Sequence, residues 1–268
     1  MGKAMCQTFS NVLQSKDVFV KHAKGMRDIV GKEIHPFHEI FMFLEGNAEF
    51  ITEEGREPLS PGTVVVIPKG SFHQFTVHRK EEDYRRCVLR FGDRVEWEEL
   101  IESKLKSPRT VFSRELKTLF LKLAALCDKP RDKTESEALA KALLTQILVY
   151  LPKDIERKSF LQASFHELTQ KTIVYVTEHL SSTLGVASIA SALFVSESYL
   201  AHVFKRDMRV SLHRYILEKK LIEANKRLKN GAKALEVALS LGFNDYSGFY
   251  KQYKKMFGIS PALTRNAK

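Results

Sequence analysis

About the last hundred residues repeat one pattern twice, and that repeat constrains the fold more than any other feature. The second copy runs Ala238-Leu239-Ser240-Leu241-Gly242-Phe243, then Asn244-Asp245-Tyr246-Ser247-Gly248-Phe249, then Tyr250-Lys251-Gln252-Tyr253-Lys254-Lys255. An amphipathic helix ends at a Gly, an Asn-Asp pair caps a new one, and the new helix is apolar on one face and cationic on the other. A first copy lies about 48 residues upstream: Val186–Leu193 as a small-residue helix, Phe194-Val195 as the turn, Ser196 as N-cap, then Glu197–Asp207. The copies match as Ala190 with Ala238, Leu200 with Phe249, Phe204 with Tyr253, and Lys205 with Lys254. Helix, tight turn and helix is the geometry that presents one helix to a DNA groove.

In the first copy, Ile189, Ala190, Leu193, Tyr199, Leu200, Val203 and Phe204 are expected to face the core. Ser198, Ala201, His202, Lys205 and Arg206 form the outward face. In the second copy Tyr246, Ser247, Tyr250 and Lys251 face outward, and Lys254 and Lys255 follow. The helix between the copies, Ser211–Lys229, spans about 28 Å at the usual rise. That length suits two recognition helices about one DNA turn apart.

Charge supports this reading. The chain has 268 residues and a net charge of +11. From Thr169 onward there are 16 Lys plus Arg against 7 Asp plus Glu, a net of +9, which leaves +2 for the first 168 residues. Excess charge confined to the segment with the repeat favours a polyanion partner, double-stranded DNA.

The N-terminal half has another character. From about Val18 to Phe91 short apolar runs alternate with turn signals such as Glu45-Gly46-Asn47, Glu53-Glu54-Gly55, Pro61-Gly62 and Pro68-Lys69-Gly70. Closely spaced short strands predict an antiparallel barrel or sandwich. Helical spacing follows over Trp97–Leu105, Ser113–Cys127 and Ser136–Tyr150. The last two are joined by a polar break containing Pro130, as an αα-hairpin. Lys153–Ser164 reads as a linker. The fold class expected is multi-domain α+β, divided as 1–105 barrel, 106–160 helical hairpin with linker, and 161–268 all-α with two helix-turn-helix motifs. Cys6, Cys87 and Cys127 have neither disulfide nor zinc spacing. No apolar signal segment follows Met1, so a cytoplasmic location and no membrane association are expected.

Ser196-x-x-Tyr199-Leu200-x-x-x-Phe204-Lys205, Gly242-Phe243-x-Asp245-x-Ser247-x-Phe249 and Tyr253-Lys254-Lys255-x-x-Gly258-x-Ser260-Pro261, closing with Arg265, resemble the signature of the AraC/XylS family of bacterial transcription regulators. The resemblance implies a seven-helix DNA-binding domain with two recognition helices in successive major grooves, and activation through RNA polymerase. It implies base reading by Ser198, Ala201 and His202 and by Tyr246, Ser247, Tyr250 and Lys251. Lys205, Lys254 and Lys255 would contact phosphates. Three positions depart from the family pattern. Arg209 stands where Gly is usual, Lys220 where Arg is common, and His202 where a longer base reader is common. The first copy is therefore expected to discriminate less per base pair.

His35-Pro36-Phe37-His38-Glu39, Leu44-Glu45-Gly46, Leu59-Ser60-Pro61-Gly62-Thr63 and Ile67-Pro68-Lys69-Gly70-Ser71-Phe72-His73-Gln74-Phe75 resemble the cupin-like sensor domain of many such regulators. The resemblance implies a small-molecule effector, with a sugar favoured. His35, Glu39 and His73 are expected to line its pocket, with Phe41, Phe43 and Arg90 beside them. His35, His38, Glu39 and His73 also raise a metal reading. Neighbouring strand residues face opposite sides, however, so His38 and Glu39 cannot both point inward. No metal, cofactor or enzymatic activity is expected. The alternatives are a metal-dependent cupin enzyme fused to a DNA-binding module, or a ligand-independent regulator. The hairpin at Ser113–Tyr150 carries more apolar face than a lone helix needs; the resemblance implies that it packs on the barrel and pairs two subunits as a homodimer, with packing inside one chain as the alternative.

Overall fold

One strand, His38–Glu45 (β3), has both of its faces buried along most of its length, and the N-terminal unit is organised around it. The computed structural model describes residues 8–25, 34–77, 84–92, 94–153, 165–180 and 184–266. β3 sits inside a six-stranded antiparallel sheet with Phe9–Gln14 (β1), Val18–Lys24 (β2), Val64–Ile67 (β6), Arg85–Phe91 (β8) and Arg109–Val111 (β9), in the order β1-β2-β8-β3-β6-β9. Ala48–Ile51 (β4), Arg56–Leu59 (β5) and Gln74–Val77 (β7) form a smaller sheet in the order β5-β4-β7.

Period-two alternation sorts the β3 side chains into two cores. Phe41 and Phe43 join Val65, Ile67 and Val88 of the large sheet with Ala48, Phe50 and Leu59 of the small one, in the layer between the sheets. Ile40 and Met42 join Val64, Val66, Leu89 and Phe91 on the outer face. That face is covered by Glu98–Lys104 (α1), Arg114–Asp128 (α2) and Lys133–Tyr150 (α3), which contribute Ile101, Leu116, Phe120, Leu123, Leu144 and Ile147 to the same core. A strand covered on both sides reads as a continuous apolar run, which is why Ile40–Leu44 shows no polar alternation. The helical hairpin shares its core with the barrel. Asp128 at the end of α2 accepts from Asn11 at 2.7 Å and lies 2.8 Å from Nδ1 of the buried His22, which ties α2 to β1 and β2.

The sequence reading starts the β region at Val18 and so omits β1. It also omits β9, a three-residue strand. Both are edge strands that owe their conformation to one neighbour, β2 and β6 respectively. Cys87 and Cys127 are buried thiols. Burial holds the first well above its ordinary value and the second at about 11, so both stay protonated. Cys6 and nearly all of the expected linker lie outside the described residues.

The second unit is helical: Glu167–Glu178 (α4), Val186–Ala192 (α5), Glu197–Met208 (α6), Leu212–Lys229 (α7), Ala234–Ser240 (α8), Tyr246–Phe257 (α9) and Pro261–Asn266 (α10). After Phe257, Gly258 is the C-cap of α9, and α10 follows with Pro261 in its first position. Tyr253 is fully buried, and its hydroxyl joins three helices by accepting from Asn225 at 2.7 Å and donating to Thr264 at 2.9 Å. Asp207 serves the other end of the domain. Its buried carboxylate accepts from the His166 N–H at 2.9 Å and the Thr169 hydroxyl at 2.8 Å, fixing the start of α4 against α6.

The two copies are close to superimposable in sequence but not strictly in register. Helix α8 begins 48 residues after α5 (Ala234 against Val186), while α9 begins 49 after α6 (Tyr246 against Glu197), so the second turn is one residue longer. Both copies need left-handed backbone at the same two places. The second puts Gly there, Gly242 at φ 72° and Gly258 at φ 77°. The first puts Phe194 at φ 56° and Arg209 at φ 59°. Phe194 is 95% exposed, so packing does not repay its strain. A left-handed non-Gly residue costs roughly 1–2 kcal/mol, part of which Gly returns as chain entropy. Phe194→Gly and Arg209→Gly are each expected to stabilise the protein by about 0.5–1 kcal/mol. Gly258→Ala, where an added Cβ meets nothing within 4 Å, should cost about 1 kcal/mol through backbone strain alone. Denaturant midpoints at constant m-value check all three, and a loss of stability in Phe194→Gly would refute the strain argument.

Candidate functional site

The two helix-turn-helix units leave the expected outward residues exposed except Ala201 and Tyr250, which are half-buried, and they turn one expected core residue outward. The chain turns by 101° between α5 and α6, inside the range for this motif. Ser196 Oγ accepts from the Tyr199 N–H at 3.3 Å to open α6, and Asp245 Oδ1 accepts from the Gly248 N–H at 2.6 Å to open α9. Such caps contribute about 1 kcal/mol each and place the start of each second helix. Leu200, Val203 and Phe204 are buried on α6, as are Phe249 and Tyr253 on α9. Tyr199, expected in the core, is instead 49% exposed. It sits in the first turn of α6, next to Ser198 and ahead of the point where the buried face begins at Leu200.

On α6, Ser198, His202, Lys205 and Arg206 are exposed and Ala201 is half-buried. Arg206 is partly committed to the fold, since its Nε lies 3.1 Å from Asp207. On α9, Tyr246, Ser247, Lys251, Lys254 and Lys255 are exposed and Tyr250 is half-buried. Tyr246 and Tyr250 lie one turn apart with centroids at 6.4 Å and ring planes tilted by 50°, and Lys254 Nζ lies 6.0 Å from the Tyr250 ring. On α6 the exposed aromatic is Tyr199, with the cations Lys205 and Arg206 further along the helix. Lys220 is used inside the domain. Its buried ammonium donates to the Leu184 carbonyl at 3.3 Å, and burial lowers its pKa.

The barrel unit holds a second constellation. Three strands align Phe19 of β2 with Arg90 of β8, and Arg90 with Glu39 of β3. Arg90 Nε donates to Glu39 Oε2 at 2.5 Å. Its guanidinium lies 5.4 Å from the Phe19 ring centroid and 5.1 Å from that of Phe37, an aromatic flank that favours the cation. Glu39 is buried, as are Phe41 and Phe43 next to it along the inner face. Phe41 meets Phe75 edge-on at 4.7 Å, and Phe75 stacks on Phe50 at 5.2 Å. Phe19 and Phe37 are absent from the sequence expectations. The β2–β8 register is the signal that places Phe19, and it is not visible before the strands are paired.

His38 goes to the other side. It pairs with Phe91, stacks on that ring at 5.4 Å, and accepts at Nδ1 from the Lys69 N–H at 3.3 Å. The strand alternation thus separates His38 from Glu39 as expected. Glu39 and His73 are both buried in the first unit, and His35, also buried, falls in a segment that groups with the second unit. The guanidinium already seated on Glu39 opposes a cation there.

Burial pushes the His73 imidazole below its ordinary value of 6.5, with Arg90 in the same sense, while Glu39 and the Ser71 carbonyl oppose it. The native state therefore holds His73 neutral where the unfolded chain takes up a proton. Its contribution is unimpaired above about pH 6.5 and is lost as pH falls below that value. Unfolding free energy of the full chain should decline on acidification from pH 7 to 5, with a shallower slope in His73→Gln. Equal slopes in urea titrations of the two proteins would show that His73 does not titrate in this way.

Comparison with known proteins fits both constellations. The AraC-like ligand binding domain matches residues 15–148 and a helix-turn-helix domain matches residues 189–267. The chain is 23% identical over 229 residues to the probable transcriptional regulator LumQ of Photobacterium leiognathi, covering 85% of this chain and 88% of that one. It is 24% identical over 225 residues to the arabinose operon regulatory protein of Escherichia coli K12, covering 80% and 76%. Among solved structures it is similar to ToxT of Vibrio cholerae, with 11% identity, 97% of each chain covered and a TM-score of 0.39. With a ligand-binding barrel ahead of two helix-turn-helix units, the chain belongs to the AraC family of DNA-binding transcription regulators.

Proposed function

We propose that this regulator is a cytoplasmic activator whose barrel binds a sugar, and that sugar binding changes how the DNA-binding domain engages its operator. The observation that carries the effector reading is the Glu39–Arg90 pair flanked by Phe19 and Phe37. A carboxylate beside a guanidinium offers acceptors and donors at the spacing of neighbouring hydroxyls, and aromatic faces suit the apolar side of a sugar ring. His35 and His73 add further polar groups, and Phe41 and Phe43 the apolar wall. One relative is by its name the regulator of an arabinose operon, which agrees with this chemistry.

On the DNA side, Tyr246, Ser247, Tyr250 and Lys251 read bases in one major groove, and Ser198, Ala201 and His202 read the next. Lys205, Arg206, Lys254 and Lys255 bind phosphates and set affinity rather than sequence. The second copy anchors the complex, because its exposed face carries three lysines and two tyrosines. Exposed Leu121 and Leu139 on α2 and α3 support a homodimer through the hairpin, which would double the half-sites. RNA polymerase is the partner through which bound activator acts.

A metal-dependent reading is favoured by one observation, the buried His73 imidazole within electrostatic reach of the buried Glu39 carboxylate. Elemental analysis of the purified protein decides it: a stoichiometric transition metal lost in His73→Ala would replace the sugar reading.

The sugar reading predicts a saturable thermal shift with a pentose or hexose. Glu39→Gln and Arg90→Gln should each weaken that sugar by roughly 10- to 100-fold and leave basal DNA affinity intact. No shift from any aldose or ketose would remove it. The DNA reading predicts that Lys251→Ala weakens operator binding by roughly 5- to 10-fold and Ser198→Ala by less. It also predicts that Lys254→Ala lowers the slope of log affinity against log salt by about 1. Gel-shift titrations at several salt concentrations test both, and the reverse ranking of Lys251 and Ser198 would overturn the anchoring role of the second copy.

A further inference from the structure

The helical hairpin of the N-terminal unit carries a groove that the sugar reading does not use. It lies between α2 and α3 and encloses about 400 Å³, within the range of small-ligand sites. Its apolar strip is Leu126 of α2 with Leu139, Ala142 and Leu143 of α3. Leu126 and Leu143 also pack into the core beneath, so this floor is held in place whether or not the groove is filled. Leu139 is 40% exposed and forms the open wall.

Helix geometry sorts the polar lining into two ends. The helices run antiparallel and are joined by residues 129–132, so Lys129 and Arg131 stand at the loop end. Lys122 stands at the far end with Gln146. The seven residues from Lys122 to Lys129 span about 10 Å of helix. Every formal charge in the lining is positive. Among the described residues the Lys122 and Lys129 ammonium groups have no partner. Arg131 Nη1 lies 3.6 Å from Glu135, with both side chains more than half exposed, a pairing that contributes little.

Three cations around an apolar strip call for an anionic occupant. A second copy seated in the groove would bring the same three cations to it. Leu121, the other exposed leucine of the hairpin, is outside the lining, which leaves a face for subunit pairing. A monoanion would satisfy one end and set its apolar tail against the charge at the other. A dianion with an apolar middle and charges about 10 Å apart is complementary to the whole lining.

We propose that the α2–α3 groove is a second ligand site, separate from the barrel interior, and that it takes linear dicarboxylates with an apolar chain. One carboxylate accepts from Lys129 and Arg131, and the other from Lys122 and the Gln146 amide. The chain lies along Leu126, Leu139, Ala142 and Leu143.

Isothermal titration of the full chain with decanedioate tests this. The expected result is saturable binding of one molecule per chain, with decanoate and butanedioate each weaker by at least about tenfold. Lys122→Gln should weaken decanedioate by about tenfold and remove most of its advantage over decanoate. Lys129→Gln/Arg131→Gln should weaken both ligands. Lys117→Gln, an exposed lysine of α2 outside the lining, and Glu39→Gln in the barrel should leave decanedioate affinity unchanged. No saturable binding of decanedioate, equal affinity for decanoate, or an equal loss in Lys117→Gln would each overturn the proposal.

Discussion

Burial of β3 on both faces is the constraint on which the N-terminal unit depends. A strand has only two faces, and here each is the wall of a separate core. The inner face closes the layer between the sheets and carries Glu39 toward Arg90. The outer face receives the helices and carries His38 toward Phe91. A shift of one residue in register would exchange the two sets and bring an ion pair into the helix layer. The pairings Glu39 with Ile67 on one side and with Arg90 on the other hold that register in place.

The inner site is organised before any effector arrives. Glu39 and Arg90 are matched across neighbouring strands, and rings from β2 and from the segment before β3 flank the guanidinium. Such a site needs little rearrangement to bind, and any effector must supply hydrogen bonds at least as good as those it displaces. His73 is kept neutral by burial, so it offers one donor and one acceptor rather than a charge.

The DNA-binding domain shows how one motif serves unequal duties. Two copies share capped second helices and similar buried faces, yet only the second has Gly at both left-handed positions. The first tolerates Phe194 and Arg209 there, at a cost in strain. Helix α9 carries Tyr246, Tyr250, Lys251, Lys254 and Lys255, three of them lysines, while α6 exposes Tyr199, His202 and Lys205 and its Arg206 is half committed to Asp207.

Much of this was legible in the order of residues alone, because helices, caps and turns are local. The helical periods, Ser196 and Asp245 as caps, Gly242 at the turn, and the separation of His38 from Glu39 all follow from spacing and backbone chemistry over a few residues. Tyr199 was misassigned because one turn of helix cannot say where a buried face begins. Strand neighbours were beyond reach for the same reason. β1 and β9 have little pattern of their own, and the row Phe19–Arg90–Glu39 joins residues separated by tens of positions. The lining of the α2–α3 groove is set in the same way, by how two helices pack. Sequence by itself determined the long helices, their caps and the two faces of β3. The tertiary structure decided which of those residues meet, since contacts across strands and layers depend on register and packing that no local spacing encodes.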